Sequence, residues 1–175
     1  MSAHISECGK YRYTLARKPE VENPDRGTAL FIMLNPSTAD AQIDDATIRR
    51  CRGFAKSWSC NGITVANLYA YRATNPNELW TVLDPIGTEN EGILKNLIAE
   101  HLDVICAWGG NAQPERVAEF MKIVSKIPSA RLWCLGQNKD GSPKHPLYIK
   151  ANQTLIPFNI QQTKNGEKNT NEVRE

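Results

Sequence analysis

The sequence predicts an α/β domain built as a three-layer α/β/α sandwich around a mostly parallel central sheet of about four strands. Two observations carry that expectation. Apolar runs of strand length alternate with segments whose apolar residues recur at helical spacing. The runs are continuous, as expected for parallel strands buried on both faces, and right-handed crossovers between them place helices on both sides. A chain of 175 residues that is 41% hydrophobic supports one sizeable core, so residues 1–160 are read as a single domain.

Taken in order, Tyr11 to Leu15 reads as part of an edge hairpin. The first core strand is Ala29-Leu30-Phe31-Ile32-Met33-Leu34. It stops at Asn35-Pro36-Ser37-Thr38, where Pro36 removes a ladder donor and biases Asn35 away from helical geometry. Asp45 to Trp58 is a helix with Ile48, Cys51, Phe54, Ala55 and Trp58 along one stripe, capped by Asp44 or Asp45. Gly62 to Ala66 is the second strand and runs into Asn67-Leu68-Tyr69-Ala70-Tyr71-Arg72, followed by a long polar loop. Glu89 to His101 is the next helix, and Val104 to Trp108 the third strand, closing on Gly109-Gly110-Asn111-Ala112. Pro114 to Val124 is a helix with proline in its first turn, and Ala130 to Leu135 the fourth strand. Gly136 to Pro146 is a loop, and the polar segment 161–175 is expected to be a disordered tail.

Composition narrows the function. The formal charge of +2 argues against a strongly cationic surface, so nucleic-acid binding needs a local patch. Five scattered cysteines fit reduced thiols and a cytoplasmic location. Without a CxxC or a close Cys/His cluster, neither a metal nor a cofactor is expected. The start of the chain lacks a signal-peptide pattern, and no apolar run approaches the roughly 20 residues that span a bilayer, so no membrane partner is expected.

In open parallel sheets, ligands bind beyond the carboxyl ends of the strands. The loops there carry Asn35, Pro36 and Ser37; Asn67, Tyr69, Tyr71 and Arg72; Gly109, Gly110 and Asn111; and Lys139 to His145. These loops are expected to converge. Either asparagine alone reads as a turn or cap residue, but two at equivalent positions can read a heterocycle edge with paired donor and acceptor. His145 can donate a proton or stabilise an anion near neutral pH, or simply face solvent. Gly109 and Gly110 permit close backbone approach to a ligand, or form an ordinary turn. Asp44 and Asp45 can position a water or a metal, although helix capping explains at least one of them. Tyr69 and Tyr71 offer stacking faces, and Lys144 lies near enough to contact phosphate.

The segments Leu34 to Asp40, Asp45 to Arg50, Asn67 to Thr74, Trp108 to Ala112 and Ser142 to Leu147 closely resemble an uncharacterised family, domain of unknown function 1643, over about residues 10 to 158. A looser resemblance to the uracil-DNA glycosylase superfamily implies roles. Asn35-Pro36 resembles the motif whose asparagine positions the hydrolytic water, and Asn67 the base-reading asparagine. Trp108 to Ala112 resembles the third-strand turn, and His145-Pro146-Leu147 the final loop. By that resemblance the fold is uracil-DNA glycosylase-like, Asn35, Asn67 and His145 hold the water, the base and the departing anion, and Leu147 is a wedge behind an extruded nucleotide. The first motif lacks its aspartate, which Asp40, Asp44 or Asp45 would have to replace, and Ser-Pro does not follow His145-Pro146. The implied activity is hydrolysis of the N-glycosidic bond of a noncanonical or modified base in nucleic acid, DNA before RNA, or in a nucleotide. A non-catalytic module gripping such a base and a protein-interaction or inhibitor protein are the alternatives.

Overall fold

The computed structural model describes residues 2–37, 44–101 and 103–159, and in it the four apolar runs become neighbouring strands of one sheet. In chain order the strands are β1 (Ser2–Ile5), β2 (Arg12–Arg17), β3 (Ala29–Met33), β4 (Ile63–Asn67), β5 (Asp103–Cys106), β6 (Arg131–Cys134) and β7 (Ile156–Pro157). The helices are α1 (Ala46–Ser57), α2 (Asn90–Glu100) and α3 (Pro114–Val124), with short 3-10 helices at Pro76–Trp80 and Pro146–Tyr148. The expected polar tail at 161–175 and Asp40 of the first motif lie outside the described residues.

The strand order is β1-β2-β4-β3-β5-β6-β7. The inner four, β4-β3-β5-β6, run parallel. At the margins β2 is antiparallel to β4, β1 to β2, and β7 to β6. The expectation of about four strands is therefore corrected to a seven-stranded mixed sheet. The extra strands are peripheral and weakly patterned: β1 alternates exposed and half-buried residues, and β7 is two residues long and includes Pro157. Proline is tolerated at an edge, where its missing N–H breaks no central ladder.

All five residues of β3 are buried, and their alternation divides the core. Leu30 and Ile32 pack with Leu94 and Ile98 of α2 and Phe120 of α3, while Phe31 and Met33 pack with Ile48, Cys51 and Phe54 of α1. Each fully buried side chain of this size contributes roughly 1.5–3 kcal/mol. Trp58 extends the second cluster by stacking on Phe31 and Phe54, as its place on the helical stripe predicts. Cys51, Cys60, Cys106 and Cys134 are buried free thiols whose pKa values burial raises, whereas Cys8 is exposed. Among the described residues no helix is long and apolar enough to cross a membrane.

The register sets up the site. Met33 lies opposite Asn67, and Ile32 opposite both Ala66 and Cys106, so β3, β4 and β5 end level with one another. Their following loops leave the sheet side by side.

Candidate functional site

A cavity of about 450 Å³ opens where those loops leave the sheet. Of the residues singled out from the sequence, Asn35, Ser37, Asp45, Asn67, Gly109, Gly110, Asn111 and His145 line it. All four expected loops therefore contribute.

Asn67 is the last residue of β4 and only 3% exposed. Its side-chain amide makes no hydrogen bond among the described residues, although it faces the cavity. The backbone that carries it is firmly held. Buried Asn90 donates from Nδ2 to the carbonyls of Asn67 and Leu68, both at 3.1 Å, and buried Arg116 donates from Nε to Leu68 at 2.8 Å.

Asn35 is differently employed. Its Nδ2 donates to the Ala73 carbonyl at 2.8 Å and to the Pro36 carbonyl at 3.1 Å, tying the loop after β3 to the loop after β4. Pro36 is buried and its carbonyl also accepts from the Ala73 N–H, so it braces the loop rather than lining the cavity.

The two aspartates separate cleanly. Asp45 is the N-cap of α1, with Oδ1 accepting from the Ile48 N–H at 2.8 Å and Oδ2 from the Ser37 hydroxyl at 2.9 Å. Asp44 turns away to Arg17 at 2.6 Å and Arg52 at 2.5 Å, and these charges outweigh desolvation to lower its pKa. The carboxylate at the cavity is thus Asp45.

His145 caps the 3-10 helix Pro146–Tyr148, its Nδ1 accepting from the Leu147 N–H at 3.3 Å. The neutral ring therefore carries its proton on Nε2. Burial lowers its pKa, against the attraction of Asp45, so the imidazole is neutral at pH 7. Below it Gly109 turns with φ +77°, a left-handed conformation that favours glycine, and a side chain there would meet the His145 Cβ.

Several expected residues stand elsewhere. Tyr69 is core, packed edge-on against Trp80, because the chain folds inward after Asn67. Tyr71 packs edge-on against Tyr11, and Arg72 donates to the Gly9 carbonyl at 3.0 Å. Lys144 is held by its backbone to Gly136 and does not line the cavity, and Leu147 is 45% exposed just outside it.

The cavity also takes residues that the sequence reading missed, chiefly Arg12, Thr74 and Tyr148. Arg12 comes from β2 and is 4% exposed. Desolvation lowers its guanidinium pKa to about 10, opposed by the attraction of Asp45. In an alternating stretch such as Tyr11-Arg12-Tyr13 an inward arginine looks like a solvated edge residue. Tyr148 directly follows His145-Pro146-Leu147, and that adjacency was the available signal.

A second cavity, of about 600 Å³, lies at the amino ends of the strands, with Trp58, His101, Asp103 and Trp133 in its wall. It is larger, but none of the converging loop residues reaches it, so the carboxyl-end cavity is the candidate site. No curated protein and no solved structure matches the chain. The family described as Protein of unknown function (DUF1643) matches residues 12–147, which include every cavity-lining residue but Tyr148, and the chain belongs to that family.

Proposed function

We propose that this chain is a uracil-DNA glycosylase-like protein that acts on nucleic acid, DNA before RNA, or on nucleotides, and hydrolyses the N-glycosidic bond of a noncanonical or modified base. The observation that carries this reading is Asn67, a nearly buried amide facing a cavity with its hydrogen-bonding capacity unspent. A polar amide that reaches the cavity without a protein partner is available to a ligand, and the edge of a base offers the matching donor and acceptor. In this reading a water held by the Asn35 Oδ1 and Asp45 attacks the sugar C1′ and gives up a proton to the Asp45 carboxylate. The glycosidic electron pair leaves with the base, whose developing anion is met by the Nε2–H of neutral His145. Leu147 stands outside as the wedge. A three-layer α/β/α arrangement and a cytoplasmic location belong to the same reading, supported by the apolar clusters on both faces of β3 and by the buried free thiols.

One observation favours a non-catalytic module that grips a modified base in the same cavity. Both the Asn35 Nδ2 group and the two Asp45 oxygens already serve the loops and the α1 cap. The deciding experiment incubates the purified protein with DNA, RNA and nucleotide pools carrying natural and modified bases, and looks for free base by mass spectrometry. Release by wild type that is lost in Asn35→Ala and His145→Ala establishes the glycosylase. Ligand retained by wild type without release, and lost in Asn67→Ala, assigns the binding module.

A further inference from the structure

We propose that Tyr148 is a stacking platform at the mouth of the cavity, and that the ligand is therefore a single strand of nucleic acid rather than a free base or mononucleotide. The proposal rests on the base-binding reading of the cavity and deepens it. Tyr148 lines the cavity at its rim, yet the residue is 83% exposed, so most of the ring faces outward. Aromatic side chains are usually covered in a folded domain. Among the described residues four large apolar side chains are exposed, and two of them, Leu147 and Tyr148, are adjacent at this mouth.

The backbone beneath the ring is fixed. Pro146 is buried, the Tyr148 N–H donates to the His145 carbonyl at 3.1 Å, and Arg50 of α1 donates to the Ile149 carbonyl. Arg50 is itself seated over the Phe54 ring, 4.9 Å from its centroid. The Tyr148 ring lies 5.9 Å from the His145 ring, tilted by 56°. A held backbone presenting a free ring loses little entropy when a flat partner lands on it.

The sequence around the ring is mildly basic: from Gly136 to Asn159 the chain carries Lys139, Lys144 and Lys150 against one acidic residue, Asp140, which lies beside Gly110. A base in the cavity would reach Asn67 and His145, and the next base along the strand would lie on Tyr148. Sequence-tolerant aromatic stacking beside a basic rim is how single strands are held. A mononucleotide would leave the outer ring face unused.

The test measures binding of a short, fluorescently labelled single-stranded DNA of random sequence, with a mononucleotide mixture as competitor, and the same RNA sequence pool in parallel. Wild type is expected to prefer the strand over mononucleotides by about tenfold or more, the scale of one base–aromatic stack. Tyr148→Ala should remove that preference, weakening the strand about tenfold more than it weakens mononucleotides, and Tyr148→Phe should keep it. Because the side chain is so exposed, both variants should fold. Whichever sugar binds tighter supports the platform and names the strand. Equal affinity for strand and mononucleotide, no strand binding, or a preference that survives Tyr148→Ala overturns the proposal. Asn67→Ala separates the two readings. If it weakens both ligands while Tyr148→Ala changes neither, the pocket stands and the platform falls. If only Tyr148→Ala matters, the platform stands and the base-reading pocket falls.

Discussion

At the carboxyl ends of β3, β4 and β5 the chain leaves Asn35, Asn67 and the Gly109 turn around a cavity of about 450 Å³. At the amino ends Asp103, Trp133 and His101 surround one of about 600 Å³. The two differ most in how their polar groups are spent. At the amino end the Asp103 Oδ1 accepts from the Trp133 indole at 2.7 Å and from Arg131 at 2.9 Å, His101 pairs through Nδ1 with the Leu97 carbonyl, and the Thr28 hydroxyl donates to the Asn61 carbonyl. At the carboxyl end the Asn67 amide is kept in position by Asn90 and Arg116 and left without a bond among the described residues. Volume alone does not mark a site; a well-held polar side chain that opens on the cavity with no protein partner among the described residues does.

That distinction has consequences for mutation. Spent groups should matter for stability, and unspent ones for binding. The largest effect is expected at Asp44, whose carboxylate faces Arg17, 1% exposed, and Arg52. Asp44→Ala should destabilise the fold by about 3 kcal/mol, the scale for breaking a buried pair, in urea unfolding. A loss below about 1 kcal/mol would place this pair among ordinary surface ion pairs and weaken the spent side of the comparison.

Asn67→Ala should do the reverse. The loss of a bidentate contact is worth about 2 kcal/mol, roughly thirtyfold in ligand affinity, with an unfolding midpoint close to wild type. Unchanged affinity in a titration with the ligand recovered from the base pools would remove the amide from the site. Asp45 straddles the two classes, since it caps α1 and lines the cavity. Asp45→Ala should lose about 1 kcal/mol of stability together with base release, whereas Asp45→Asn, which keeps a capping oxygen, should lose release with little change in stability. If Asp45→Asn releases base at the wild-type rate, the carboxylate has no part in the chemistry.

The sequence made the inner sheet readable because its strands are continuous apolar runs bounded by Pro36, Gly62, Gly109 and Gly136, and a run buried on both faces has few other interpretations. It hid β7, since two residues carry no period, and β1, whose alternation is shallow. Convergence of the four loops was legible from the alternation of strands and helices, which implies parallel strands with their carboxyl ends on one side. What each residue does in its loop was not: Asn35 and Asn67 look alike in the sequence, yet one amide ties two loops together and the other is left open. Tyr69 was misplaced for a similar reason. Its place in the loop after β4, between Asn67 and Arg72, suggested a stacking face at the site, whereas tertiary packing draws the ring into the core beside Trp80. Arg12 escaped notice because burial of a charge on an outer strand depends on what faces it, here Asp45, more than thirty residues away in sequence.

The smallest expected effect concerns the proton on His145. Its folded pKa lies below the ordinary value of about 6.5, because burial disfavours the imidazolium more than Asp45 favours it. As pH falls through about 6.5 the unfolded chain takes up this proton before the folded one does. This group's contribution to stability is therefore complete above that value and is lost between it and the lower folded pKa. Protonation would also convert Nδ1 from acceptor to donor and end its bond with the Leu147 N–H, loosening the short helix that carries Leu147 and Tyr148. In a proton NMR titration the His145 ring should titrate below the ordinary histidine range, and Asp45→Asn, by removing the opposing charge, should move it lower still. A His145 midpoint at or above that range would mean that the carboxylate outweighs burial. The neutral Nε2–H would then be an imidazolium at the lower end of physiological pH, and the donor to the departing base would be charged from the start.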